Sequence, residues 1–162
     1  MLYLSSMSVN IVRSDSTNPD FIGLVKELDD FLAILDGEEH AFYNQLNKTD
    51  TLHYVVLAYD EDEPVACGAL RKFSDQEIEV KRMYTIPGYR GKGIATTILS
   101  ELEKWAMELS YDKCILETGG CQPDAIHMYI KNGYRRIPNY GKYSGVGNSI
   151  CFEKILFGVV SR

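Results

Sequence analysis

Met83-Tyr84-Thr85-Ile86-Pro87-Gly88-Tyr89-Arg90-Gly91-Lys92-Gly93-Ile94-Ala95 joins the end of a strand-like run to the clearest helical run in the chain. Pro87-Gly88 breaks the strand. Beyond the glycines at 91 and 93, the residues Ile94, Ala95, Ile98, Leu99, Leu102, Trp105, Ala106 and Leu109 recur at helical intervals and predict an amphipathic helix. Glycines let backbone N–H groups approach an anion with no Cβ in the way. A helix N-terminus adds unpaired N–H groups and the positive end of its dipole. Arg90 and Lys92 add charge. The segment reads as a phosphate cradle. The plainer alternative is a helix start that needs only a tight turn.

Working outward, residues 78–86 predict a strand, and 113–118 another. Strand, loop, helix and strand in that order make a βαβ unit and imply one parallel pair. Upstream, residues 52–59 and 64–73 are β-branched and apolar around the polar turn Asp60-Glu61-Asp62-Glu63, a hairpin signature. Residues 9–13 predict a first strand. Asn18-Pro19-Asp20 opens a helix whose apolar positions run from Phe21 to Leu35 and which Asp36-Gly37 ends. Residues 38–47 read as a second, shorter helix. Downstream come a helix at Pro123–Lys131 that ends at Asn132-Gly133, and final strands at 134–137 and Ser149–Ile155 with a Gly- and Tyr-rich loop between. The expected class is α/β in the mixed α+β sense, with a mostly antiparallel sheet flanked by helices. No linker or repeat interrupts it, so residues 1–162 are expected to form one domain with its core at about 9–156.

The 162 residues are 45% apolar and 25% charged, with a net charge of −6. An acidic chain lacks the broad basic footprint of a nucleic-acid binder, and no apolar run is long enough for a membrane span. The opening residues have no basic region or long apolar core, so no signal peptide is expected. The cysteines at 67, 114, 121 and 151 form no C-x-x-C pair, and the three histidines do not cluster with them, so no metal site is expected. Three of the four lie in apolar runs, where free Cys acts as a small hydrophobe; a reducing, cytoplasmic setting follows.

Three phosphate ligands compete for the cradle. A P-loop needs Ser or Thr after its lysine, and Lys92 is followed by Gly93. A dinucleotide loop needs a third glycine where Thr96 stands. The third ligand is coenzyme A. Here the chain resembles the GCN5-related N-acetyltransferase (GNAT) family, whose motif [Q/R]-x-x-G-x-[G/A] is matched by Arg90, Gly93 and Ala95. The strands at 79–85 and 114–118 resemble that family's fourth and fifth. Ala125-Ile-His-Met-Tyr-Ile-Lys-Asn-Gly-Tyr134 resembles its closing A-x-x-x-Y-x-x-x-G-F/Y pattern.

The resemblance implies a sheet splayed between two central strands, with acetyl-CoA lodged in the splay. It implies that Met83, Tyr84 and Thr85 offer backbone groups to the pantetheine arm and acetyl carbonyl, and that Arg90, Gly91, Lys92, Gly93, Ile94 and Ala95 hold the pyrophosphate. Tyr129 matches the tyrosine that protonates the departing thiolate in many relatives. Glu79 matches a strand position that carries a general base in one branch. Many relatives place Asn after the fifth strand; this chain has Gly119-Gly-Cys-Gln-Pro123, where Gln122 or a backbone group takes that contact. Asn132 is a further candidate for the coenzyme.

Each residue has a bland alternative. Glu79 could be a solvated strand residue in the run Glu77, Glu79, Lys81, and Tyr129 a half-buried helix aromatic. A nucleophilic Cys121 lacks a histidine nearby in sequence. On the acceptor side the resemblance implies that the first two helices and the last loop line the pocket. Asp36, Glu38, Glu39, His40 and Tyr43 would form an acidic, aromatic lip for a cationic amine, with Tyr140 and Tyr143 as a wall. The expected activity is acetyl transfer to a primary amine of a small molecule or peptide within a ternary complex. The rival is a non-catalytic acyl-CoA sensor or interaction module. Monomer and homodimer stay open.

Overall fold

Asn18 accepts hydrogen bonds from the Asp20 N–H at 2.8 Å and the Phe21 N–H at 3.4 Å, and so starts the first helix where its Asn-Pro-Asp signal stands. In the computed structural model, which describes residues 8–37 and 52–156, that helix is α1 (Pro19–Asp36). It follows β1 (Asn10–Ser14) and precedes β2 (Tyr54–Asp60), β3 (Glu63–Lys72) and β4 (Glu77–Thr85). Then come α2 (Ile94–Glu108), β5 (Lys113–Gly119), α3 (Pro123–Lys131), β6 (Arg135–Ile137) and β7 (Ser149–Ile155). A short 3₁₀ turn, Gly141–Tyr143, sits in the last loop. The helix expected at 38–47 lies outside the described residues.

Seven strands form one sheet in the order β1-β2-β3-β4-β5-β7-β6. Every neighbouring pair is antiparallel except β4 and β5, the expected parallel pair. That pair is short. It registers only Glu77 with Lys113, Ile78 with Cys114 and Glu79 with Ile115. Beyond Glu79 the two strands no longer pair, and the sheet splays.

Each face of the sheet is covered. Ile98, Leu99, Leu102 and Ala106 of α2 bury against Val56, Leu70 and Val80. Phe21, Leu24 and Leu28 of α1 bury against Val55, Leu57 and Ala69 on the other face. Each such large side chain contributes roughly 1.5–3 kcal/mol by leaving water. Gly68 of β3 allows the closest approach: a Cβ there would lie 2.6 Å from Met83 Sδ and 2.8 Å from Ile98 Cγ2.

Opposite Gly68, β4 bulges. Cys67 registers with Tyr84, but Ala69 registers with Lys81, so β4 carries an extra residue. Arg82 takes φ +59°, a conformation few non-glycine residues adopt. Val80 and Met83 pack in the α2 cluster, while Arg82 pairs with Asp29 of α1 at 2.8 Å. The bulge thus turns Arg82 to the α1 face, where a regular strand would have aimed it at α2.

Candidate active site

The splay opens a cleft of about 790 Å³. One wall is β4 from Glu79 to Thr85, and the opposite wall is Glu117, Thr118 and Gly119 of β5. Leu28, Phe31, Leu32 and Leu35 of α1 form an apolar side. Gly91, Gly93, Ile94 and Ala95 line one end, and Gln122, His127 and Tyr129 line it from the α3 side.

The start of α2 differs from that of α1. Its N-cap is Gly93, with no side-chain cap and no acidic residue in the first turn. Its terminal N–H groups therefore lack the partners that Asn18 supplies in α1. Gly91 and Gly93 have φ of +77° and +84°, and a Cβ on either would meet nothing within 4 Å. Backbone conformation, not crowding, calls for glycine there, and the space above stays open to a ligand. These residues fit a pyrophosphate. Arg90 braces the loop: its Nε–H donates to the Thr85 carbonyl at 2.7 Å, and its guanidinium stacks over Phe31 at 5.1 Å and Tyr84 at 5.5 Å. Lys92 is exposed and does not line the cleft. Asn132 lies outside it too, bonding the Thr96 hydroxyl at 3.1 Å and the Met128 carbonyl at 2.8 Å, which ties the end of α3 to the start of α2.

Tyr129 lines the cleft and is 6% exposed. Its ring packs against Tyr134 at 5.8 Å and Phe152 at 6.2 Å, which fixes its direction. Burial, with the Glu117 carboxylate adding to it, pushes the phenol well above its ordinary range. It therefore stays protonated at neutral pH, the form a proton donor needs.

Glu79 is also 6% exposed and lines the cleft, so the reading of a solvated strand residue does not hold. The Tyr140 hydroxyl donates to its Oε2 at 2.6 Å, and the Lys81 ammonium stands 3.9 Å from the same oxygen. Lys81 donates to the Tyr143 hydroxyl at 3.2 Å, and burial lowers its pKa. Tyr140 is placed behind Glu79 and does not line the cleft, and Tyr143 is fully buried. Asp36 closes α1, with its side chain outside what is described, and Glu38, Glu39, His40 and Tyr43 lie outside the described residues altogether. Cys121 is exposed at the cleft, with its Sγ 4.0 Å from the Leu35 carbonyl.

The cleft also holds Lys81, Arg82 and Glu117, which sequence reasoning did not single out for the site. The signal was present for Arg82. Apolar residues alternate through Ile78 and Val80 and then skip to Met83, a slip of one residue that marks the bulge. Among the described residues, no group of three or more His, Cys, Asp or Glu could hold a metal ion, and no helix is long and apolar enough to cross a membrane.

The splay of the sheet and the uncapped start of α2 open on one cleft. The profile of the Acetyltransferase (GNAT) family matches residues 21–134, and the chain belongs to that family of acetyltransferases. It is 30% identical over 152 residues to an IAA acetyltransferase of Azospirillum brasilense, covering 92% of this chain and 99% of the relative. A Klebsiella pneumoniae structure described as an acyl-CoA N-acyltransferase superposes with a TM-score of 0.80 at 28% identity, covering 94% of this chain and all of that one. A GNAT acetyltransferase from Elizabethkingia anophelis, solved with acetyl-CoA bound, shares the fold at a TM-score of 0.65 and 17% identity, over 91% of this chain and 98% of that one.

Proposed function

We propose that this acetyltransferase binds acetyl-CoA in the splay and passes the acetyl group directly to a primary amine of a small molecule or peptide. One observation carries the reading. The uncapped start of α2, with glycines at positive φ, opens on the same cleft that holds Tyr129 and Glu79. The loop from Arg90 to Ala95 holds the pyrophosphate through backbone N–H groups. The backbone at the β4 bulge, around Met83 and Tyr84, faces the acyl end, and Gln122 borders the arm from the β5 side. Glu79 takes a proton from the amine, because only a neutral amine has the lone pair to attack. Tyr129 gives a proton to the coenzyme thiolate as it leaves. Holding both reactants in one cleft supplies the proximity that direct transfer needs. The whole chain acts as one domain, and four free cysteines suit a cytoplasmic setting.

Free thiol released from acetyl-CoA, measured against a panel of amines, amino acids and lysine peptides, tests this. Release that depends on one class of amine is the expected result. Coenzyme binding with no release across the panel would turn the reading into a coenzyme-binding module.

A further inference from the structure

The last loop puts two tyrosines behind the cleft: Tyr143 takes a hydrogen bond from Lys81, and Tyr140 reaches Glu79. Tyr140 donates its hydroxyl to Glu79 Oε2 at 2.6 Å, a short, charge-assisted contact. Its ring is fixed from two sides, edge-on to Phe73 at 5.2 Å and to Tyr143 at 5.7 Å. Gly141, at φ +53°, allows the turn that brings Tyr140 there; a Cβ on it would lie 3.2 Å from Phe73. The 3₁₀ turn and the Asn139 side chain, which donates to the Val146 carbonyl at 2.9 Å, hold the loop in shape.

We infer that Tyr140 is a positioning residue: it holds the Glu79 carboxylate so that Oε1 meets the acceptor amine. This rests on the reading of Glu79 as the base. A carboxylate has roughly four lone-pair sites. The Tyr140 hydroxyl and the Lys81 ammonium both address Oε2, on the loop side. Among the described residues these contacts fall on Oε2, and Oε1 is the oxygen for the amine proton. A Glu side chain has three rotatable bonds, and a misplacement of about 1 Å can cost on the order of 10²-fold in rate. Tyr140 does not line the cleft, so it acts through Glu79 and not by touching the acceptor. Among the described residues, Lys81 on its own strand and Tyr140 on the loop address the carboxylate, Tyr143 stands beside them, and Arg71 on β3 is the cross-strand register partner of Glu79.

The test is a double-mutant cycle of Tyr140→Phe and Glu79→Gln read in two ways. In thermal unfolding, Tyr140→Phe should lower the midpoint of the wild type more than that of Glu79→Gln, whose amide oxygen still accepts from the hydroxyl but without charge assistance. In acetyl transfer to the fastest amine of the panel, Tyr140→Phe should lower kcat about 10-fold. KM for the amine and for acetyl-CoA should stay within twofold, and the double variant should be no slower than Glu79→Gln alone. Phe73→Leu removes one ring that fixes Tyr140 and spares the hydroxyl. It should give a smaller loss of kcat that Glu79→Gln again masks. A raised KM for the amine with kcat intact would make Tyr140 an acceptor wall and overturn the inference. Losses that add in the double variant would also overturn it. If Glu79→Gln keeps full turnover, the base reading itself fails, a result distinct from a silent Tyr140→Phe beside a slow Glu79→Gln.

Discussion

Tyr129 of α3 and Glu79 of β4 face one cleft, and the roles proposed for them separate in kinetics. Tyr129→Phe keeps the ring packing against Tyr134 and Phe152 and deletes only the hydroxyl that would donate the proton. Turnover should fall on the order of 10²-fold with little change in acetyl-CoA affinity, since a donor is needed in the transition state and not in the ground state. Pre-steady-state thiol release beside calorimetric binding checks it. Glu79→Gln should lose rate mainly at low pH. A lysine-like amine keeps its proton until roughly pH 10, so at high pH the acceptor supplies its own lone pair and the variant recovers. Parallel pH–rate profiles with one amine are the measurement. An equal rise in KM at every pH would instead make Glu79 a binder of cationic acceptors. The place of Tyr129 at the cleft was legible from its register in a ten-residue pattern. The burial of Glu79 was not. Glu77, Glu79 and Lys81 alternate like a solvated face, and the residues that cover them, Tyr140 and Tyr143, arrive from about sixty positions away in sequence.

At the scale of elements, the β4 bulge sets which side chains enter the cleft, and Gly68 is what lets β3 sit against it. Gly68→Val would force a side chain into Met83, Ile98 and Leu102. The expected cost is about 1–3 kcal/mol, read by denaturant unfolding. The far half of the sheet is tied differently. Glu153 of β7 takes hydrogen bonds from Lys113 of β5, at 3.0 Å, and from Arg135 of β6. Burial pushes its carboxyl up, but the two cations outweigh burial and hold it below the ordinary value. The stability this gives is present above about pH 4, the unfolded value, and is lost as pH falls through the lower folded value. Thermal midpoints of wild type and Glu153→Gln should therefore differ at pH 7 and converge in strong acid. The element order was readable because apolar spacing switched cleanly between periods of two and of three to four. The bulge was overlooked because a one-residue slip between Val80 and Met83 looks like noise until the partner strand fixes the register. β6 starts at Arg135, since the Tyr134 N–H is spent on the Tyr129 carbonyl at 3.0 Å at the end of α3.

For the whole molecule, the governing feature is a sheet that begins as one and ends as two, with three parallel register pairs holding the halves together below the cleft. The βαβ unit was evident from the chain, and with it the parallel pair. How far that pair extends was not, because sequence does not say where pairing stops. Nor did it show that Leu28, Phe31, Leu32 and Leu35 of α1 would line the cleft, since their helical spacing is equally that of a helix buried against the sheet. The proposed function requires acetyl-CoA to enter this splay beside the start of α2. Gly93→Asp would place a carboxylate, and a Cβ at an unfavourable positive φ, at the proposed pyrophosphate position. The most direct test is calorimetric titration of acetyl-CoA into wild type and Gly93→Asp, with the thermal midpoint of each recorded alongside. The prediction is saturable binding to the wild type and none to a variant that remains folded. Equal affinity in both proteins, or no binding to the wild type, would contradict it.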